Sequence, residues 1–318
     1  MVEPPELSNV PRGTVPPPPE PPARRIHVAR RRFVALAVIA AAVAVGAWAA
    51  VAAIDKGSKQ KPAAAPRRTT GVRALKTFRI IFPEGFTRLQ MAQRIKAVDA
   101  IARRKRHFNP KLTARTYEAA TASSRLPARL AGDKKRRNLE GMLFPAEYEL
   151  YQNDVAKTLV AKQLAAFRDA WSHVRLGYAR SKNLSGYDVL TIASMIEKEA
   201  VVDSERPLIA AVIYNRLHAR MPLGIDATLR YGLNVPGTKP LTKSDLANPT
   251  PYNTRLHLGL PPTPISNPGL PSLVAAAHPA KVNYLYFVAK PDKKHHFFTA
   301  SAREFEQYLA SHGYGPHP

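Results

Sequence analysis

Apolar residues recur at helical spacing near the middle of the chain, where Val189, Ile192, Ala193, Ile196 and Ala200 describe one stripe. Ser185 and Asp188 stand just before it as an S-x-x-D capping box, the local signature of a helix start. One residue in the run is discordant. Glu197 falls four positions after Ala193 and seven after Leu190, at the edge of the stripe. A carboxylate there costs free energy unless it is paired, protonated or used in chemistry. Glu199 lies two positions on, about 200° around a helix, so the two acids cannot serve one site. The plain alternative is a surface helix on which both acids are solvated.

The same patterning organises the rest of the chain. Thr77–Phe86 reads as a strand ending in a Pro83-Glu84-Gly85 turn. Thr87 and Gln90 then cap a helix whose apolar face holds Leu89, Met91, Ala92, Ile95 and Val98. A second helix is predicted from near Thr113 through Ala122. Leu139–Leu150 is apolar and aromatic, punctuated by Gly141 and Pro145, and predicts extended backbone. Amphipathic helices follow over 155–174 and Glu205–Leu217. Met221–Leu233 and Thr250–Ala280 are rich in proline and glycine and are expected to be shaped loops on a rigid scaffold, where sites are usually built. Val282–Lys290 and His295–Ala300 predict a hairpin, and Ala302–Leu309 a last helix. The fold class expected is α+β.

Phe33–Ile54 is a 22-residue run without a charged side chain, long enough to cross a bilayer core. Arg24, Arg25 and Arg30–Arg32 precede it and predict a cytoplasmic N-terminus on a single-pass transmembrane helix. A cleaved signal peptide is the alternative, and either way the remaining chain is exported to the outer face of the membrane. Residues 1–32 are Pro-rich and expected to be disordered, and 55–74 form a basic linker.

Charge and composition narrow the partners. The formal net charge is +25, and the chain has no cysteine, which removes disulfides, thiolate metal sites and a cysteine nucleophile. Such a charge calls for an anionic partner. Export argues against nucleic acid, and no aromatic residues interleave with the basic clusters at 103–106 and 134–137 as a single-strand platform requires. Anionic lipid or wall polymers fit these clusters, as does a solvated basic face. No metal or cofactor is expected: His295 and His296 are adjacent, His257 and His278 isolated, and none has ligand spacing. They read as surface or packing histidines.

Several segments together, LEGMLFP, ASMIEKEA, ERPLIAAVIYNRL, MPLGIDAT, PYNT, GLPPTPISNPG, AAAHPA and YLYFVA, resemble in order and spacing the YceG/MltG family of membrane-anchored endolytic murein transglycosylases. The resemblance runs from about Phe78 to Leu309. It implies a LysM-like peptidoglycan-binding module over 75–135 and an α+β catalytic domain over 136–318. It also implies cleavage of the β-1,4 bond between N-acetylmuramic acid and N-acetylglucosamine in nascent glycan strands, leaving a 1,6-anhydromuramyl end, beside a penicillin-binding synthase or the elongation or division machinery. By the same resemblance Glu197, first glutamate of the E-K-E motif, is the catalytic acid and base. One carboxyl suffices for such a reaction, because the sugar's own C6 hydroxyl replaces water.

Substrate-binding roles are assigned to Asp226, which matches the family's S-D-P-T segment, to Tyr252 and Asn253 of PYNT, to Asn215 and Arg216 of YNRL and to Glu140 of LEGMLFP. For each, a loop-stapling or turn-capping hydrogen bond is the structural alternative. Met142, Ala146-Glu147, Arg255 and Thr263 depart from the family pattern. Two rival functions remain: a non-catalytic wall-binding scaffold, and a glycan hydrolase with Glu199, Glu205 or Asp226 as its second carboxylate.

Overall fold

Strand β1 (Thr77–Ile81) alternates buried Phe78 and Ile80 with exposed neighbours, and pairs antiparallel with β4 (Glu147–Tyr151), placing Phe78 against Leu150 and Ile80 against Tyr148. The computed structural model describes residues 75–127, 130 and 135–313. The expected transmembrane helix, Pro-rich tail and basic linker lie outside these residues, and among the described residues no helix is long and apolar enough to cross a membrane. β1 belongs to the segment read as a binding module and β4 to the segment read as catalytic, so one two-stranded sheet joins them.

Helices pack on that sheet and on one another. α1 (Arg88–Arg106) starts at the reciprocal Thr87–Gln90 box and buries Met91, Ala92 and Ile95. α2 (Ala114–Thr121) brings in Tyr117, which is fully buried and donates its hydroxyl to Gln163 of α3 (Ala156–Ser172) at 2.8 Å. A buried phenol demands such a partner. Ser124–Arg125 (β2) and Arg136–Arg137 (β3) form a second short antiparallel pair. α4 (Gly177–Ser181) then leads into the central helix.

That helix is α5 (Gly186–Glu199), capped as expected by Ser185 and Asp188. From Val189 to Ile196 every residue is buried, and burying each of Leu190, Ile192 and Met195 is worth about 1.5–3 kcal/mol. α5 packs chiefly against α9 (Leu270–Ala277) and also against α6 (Arg206–His218). Ser272 and Ala275–Ala277 keep α9 slim enough for this close approach.

The expectation of shaped loops over 221–233 and 250–280 needs two corrections. Asp226–Leu233 is a helix, α7, that opens on an acidic first turn and ends at Asn234 with a positive φ of 54°. Leu270–Ala277 is α9, with Pro271 in its first turn. Neither has a side-chain cap, so neither carries the local signal that revealed α1 and α5. A one-turn helix, α8 (Lys243–Leu246), lies between them. The fold closes with the hairpin β5 (Tyr286–Ala289) and β6 (His296–Thr299), then α10 (Ala302–Ser311), as the patterning predicts.

Candidate active site

The last turn of α5 carries both acids of the E-K-E motif and sends them into different surroundings. Glu197 turns inward and its side chain is 6% exposed. Its Oε2 accepts the Ser272 hydroxyl at 2.7 Å, the Gly269 N–H at 3.1 Å and Arg206 Nη1 at 3.4 Å. Arg206 also donates to Ser272 and, through Nε, to Asp203 at 3.0 Å. Gly269 and Ser272 belong to the start of α9, where unpaired backbone N–H groups favour an anion. Glu84, from the turn after β1, lies over Gly269 so closely that a Cβ there would collide with its carboxylate. Burial, and then the Glu197 charge, push the Glu84 carboxyl above its ordinary range. Glu197 Oε2 is thus the hub of a contact joining α5, α6 and α9.

Glu199 faces a cavity of about 1000 Å³. Burial first, and then the charge of Asp226, push its carboxyl up to about 7. Asp226 is fixed in turn. Arg255 Nη2 donates to its Oδ1 at 2.7 Å. The pairing rests on a knot of short-range bonds: Asn253 Oδ1 accepts the Arg255 N–H at 3.2 Å, and Thr254 Oγ1 takes the Ile225 N–H at 3.1 Å. Arg255 Nε is sealed from solvent without a hydrogen-bond partner. Arg216 spends its guanidinium on carbonyls, with Nε 2.6 Å from Leu285 O and Nη1 2.8 Å from Leu223 O. Burial, and then Arg255, lower its pKa. The other wall comes from β5, β6 and α10, with Tyr286, Phe287, His296 and Phe305. An acid close to half-protonated at neutral pH, next to a fixed carboxylate and within reach of aromatic faces, can donate a proton to a sugar oxygen.

Of the residues singled out from the sequence, Asp226 and Arg216 line this cavity and Glu197, Glu140, Asn215, Tyr252 and Asn253 do not. Asn215 uses its amide on Val282 O at 3.0 Å and Tyr284 O at 2.9 Å, which is the loop staple. Asn253 is fully buried and its amide holds Leu246 O and Asn248 O, each at 2.9 Å, so it shapes the loop that aims Arg255. Tyr252 shares a 2.9 Å hydroxyl contact with Thr263 and packs on Tyr231, allowed by Gly232, where a Cβ would sit 2.6 Å from the tyrosine Cβ. Glu140 is 1% exposed. It accepts the Arg88 N–H at 2.9 Å, the Asn267 amide at 2.8 Å and the Tyr231 hydroxyl at 3.1 Å, while burial pushes its pKa up to about 7. It caps the start of α1 from inside the core. For Asn253 and Glu140 the sugar-binding expectation therefore gives way to the stapling alternative, because neither reaches solvent. Glu205, a candidate second carboxylate, is buried against His296 rather than aimed at Glu199.

Sequence reasoning passed over Arg206 and Ser272, read Arg216 with Asn215 as a substrate contact, and noted Arg255 only as a departure. Their roles depend on partners brought from distant segments, which no local pattern announces.

The sequence profile of the YceG-like family matches residues 47–311. A Bacillus subtilis protein named endolytic murein transglycosylase is 37% identical over 177 residues, covering 54% of this chain and 49% of the relative. A Streptococcus pneumoniae protein of the same name is 30% identical over 254 residues, covering 73% of this chain and 44% of the relative. The chain thus spans about half the length of these curated relatives. A crystal structure of a YceG-like protein from Listeria monocytogenes superposes with a TM-score of 0.55 at 30% identity, over 72% of this chain and 75% of that one.

Proposed function

Because the chain belongs to the YceG-like family, we propose that it is an endolytic murein transglycosylase in which Glu199, rather than Glu197, is the acid and base. The observation that carries this reading is the contrast between the two acids. The Glu199 carboxyl, at about 7, faces a cavity large enough for sugar residues, whereas three protein donors occupy Glu197 Oε2. The names of the relatives supply the substrate, a murein strand.

In the proposed step, protonated Glu199 donates to the glycosidic oxygen as the bond from C1 of the muramyl residue breaks and positive charge builds on its ring. Asp226, held by Arg255, presents a negative charge to the same cavity. Glu199, now a carboxylate, takes the proton from the C6 hydroxyl, whose oxygen closes onto C1 to give the 1,6-anhydro end. The proton given is recovered and no water is consumed.

Hydrolysis is the second reading, favoured by one observation: Asp226 lines the same cavity as Glu199, and a pair of carboxylates can activate water. Digestion of uncrosslinked glycan strands, read by mass spectrometry, separates the two. New ends lighter by one water support the transglycosylase, and ordinary reducing ends the hydrolase. Strand binding without cleavage would support the scaffold.

In this reading residues 33–54 anchor the chain in the membrane with its N-terminus in the cytoplasm. Residues 75–135 act as a LysM-like grip on the strand, and a synthase or the elongation or division machinery supplies nascent glycan. Recovery of the full chain in the soluble fraction after cell lysis would remove the anchor from this picture.

A further inference from the structure

One wall of the Glu199 cavity holds a second acid–base pair. His296, the first residue of β6, is 8% exposed and Glu205, which ends a 3-10 turn over Asp203–Glu205, is 7% exposed. Glu205 holds the histidine at two points. Its Oε1 accepts the His296 N–H at 2.9 Å and its Oε2 lies 2.6 Å from Nδ1. The ring is wedged edge-on to Phe287 at 5.4 Å and tilted to Phe298 at 6.0 Å. Both its plane and its rotation are therefore set.

A carboxylate at Nδ1 fixes the tautomer, because it needs the proton on that nitrogen. In the neutral imidazole Nε2 is then left with a lone pair. Among the described residues Nε2 has no protein partner, it is not sealed from solvent, and His296 lines the cavity. The other charged residues lining that space are Glu199, Asp226, Arg216, Arg255 and Glu306, and Glu205 stands behind the ring. A histidine that served packing alone would not need a buried carboxylate to aim it, since burying that carboxylate carries its own cost.

We propose that His296, oriented by Glu205, contacts substrate in the Glu199 cavity, accepting a hydrogen bond at Nε2 from a hydroxyl or acetamido N–H of the bound glycan. His296 is then a binding residue and Glu205 a positioning residue. The inference rests on the glycan-cleaving reading of this cavity.

Two substitutions separate binding from structure. The amide of asparagine overlies Nδ1 of histidine and that of glutamine overlies Nε2. His296→Asn keeps a donor for Glu205 and loses the group offered to substrate, while His296→Gln does the reverse. Uncrosslinked murein strands bound to full-length chain in the Glu199→Gln background, which turns over far more slowly, give the Kd directly. His296→Asn should weaken binding by about tenfold, the loss of one hydrogen bond, with Tm near that of the background. His296→Gln should bind more tightly than His296→Asn despite a lower Tm. An unchanged Kd for His296→Asn overturns the proposal, and leaves the transglycosylase reading standing if the wild-type chain still cleaves. A wild-type chain that neither binds nor cleaves the strands overturns both.

Discussion

Glu197 and Glu199 differ by two positions on one helix, and the structure gives them opposite lives. Glu197 meets the start of α9 and the Arg206 guanidinium, so three donors converge on its Oε2. Glu199 lines the cavity with Asp226, and burial first, then the Asp226 charge, push its carboxyl up to about 7 although it also takes the Ala227 N–H. The first environment stores stability and the second stores reactivity. A carboxyl raised toward neutrality by burial and a like charge is poised to give up and regain a proton.

The strongest way to break this comparison is to exchange the consequences of losing each acid. Glu199→Gln should lower the rate of strand cleavage by about 10²–10⁴-fold, the usual worth of a positioned general acid, with thermal unfolding close to wild type. Glu197→Ala should do the reverse. It leaves Arg206 without one of its buried partners, and about 3 kcal/mol of stability should be lost in urea unfolding while cleavage per folded molecule stays within a few-fold of wild type. Glu197→Gln retains an acceptor for Ser272 and Gly269 and should cost about 1 kcal/mol. A Glu197→Gln enzyme that is folded yet inactive would return the catalytic role to Glu197.

A smaller effect sharpens the electrostatic half of the contrast. Cleavage requires Glu199 to be protonated at the start, so the rate should fall by about tenfold per pH unit above pH about 7. The Asp226 charge raises the Glu199 pKa, and Asp226→Asn removes it. The falling limb should then move to lower pH, by about one unit. A limb that stays in place would mean that Asp226 does not act on the proton of Glu199.

Much of the scaffold was legible in the sequence because its signals are local. The Thr87–Gln90 and Ser185–Asp188 boxes lie within four residues of the helix starts they mark, and both are formed. α7 and α9 were hidden because Ile225 and Gly269 offer no side-chain cap and proline and glycine crowd their surroundings. The site divides along the same line. Periodicity could say that Glu197 and Glu199 point different ways, and they do. It could not say which way leads to the cavity, because the deciding neighbours arrive from far along the chain. Gly269 and Ser272 are 72 and 75 residues from Glu197, and Arg255 reaches Asp226 across 29. Asn253 shows the limit of motif reading: its segment builds the site, yet the asparagine itself is spent on holding the loop.

The smallest effect tests the raised acid without any substrate. Glu199 and Glu140 both have folded pKa values of about 7, above their ordinary value of 4.5. Between these limits the folded chain holds protons that the unfolded chain has released, so stability is fully present below about pH 4.5 and declines as pH rises through about 7. Each group can contribute at most about 1.4 kcal/mol per pH unit to that decline. Glu199→Gln removes one of the two, and urea unfolding at several pH values across the window should show the slope flattened by up to one proton. The fixed partners of Glu140 make it the internal control, because its contribution persists when Glu199 is replaced. If the slope of Glu199→Gln equals that of the wild type, Glu199 carries no retained proton. The cavity would then lack its acid, whatever the activity of the chain.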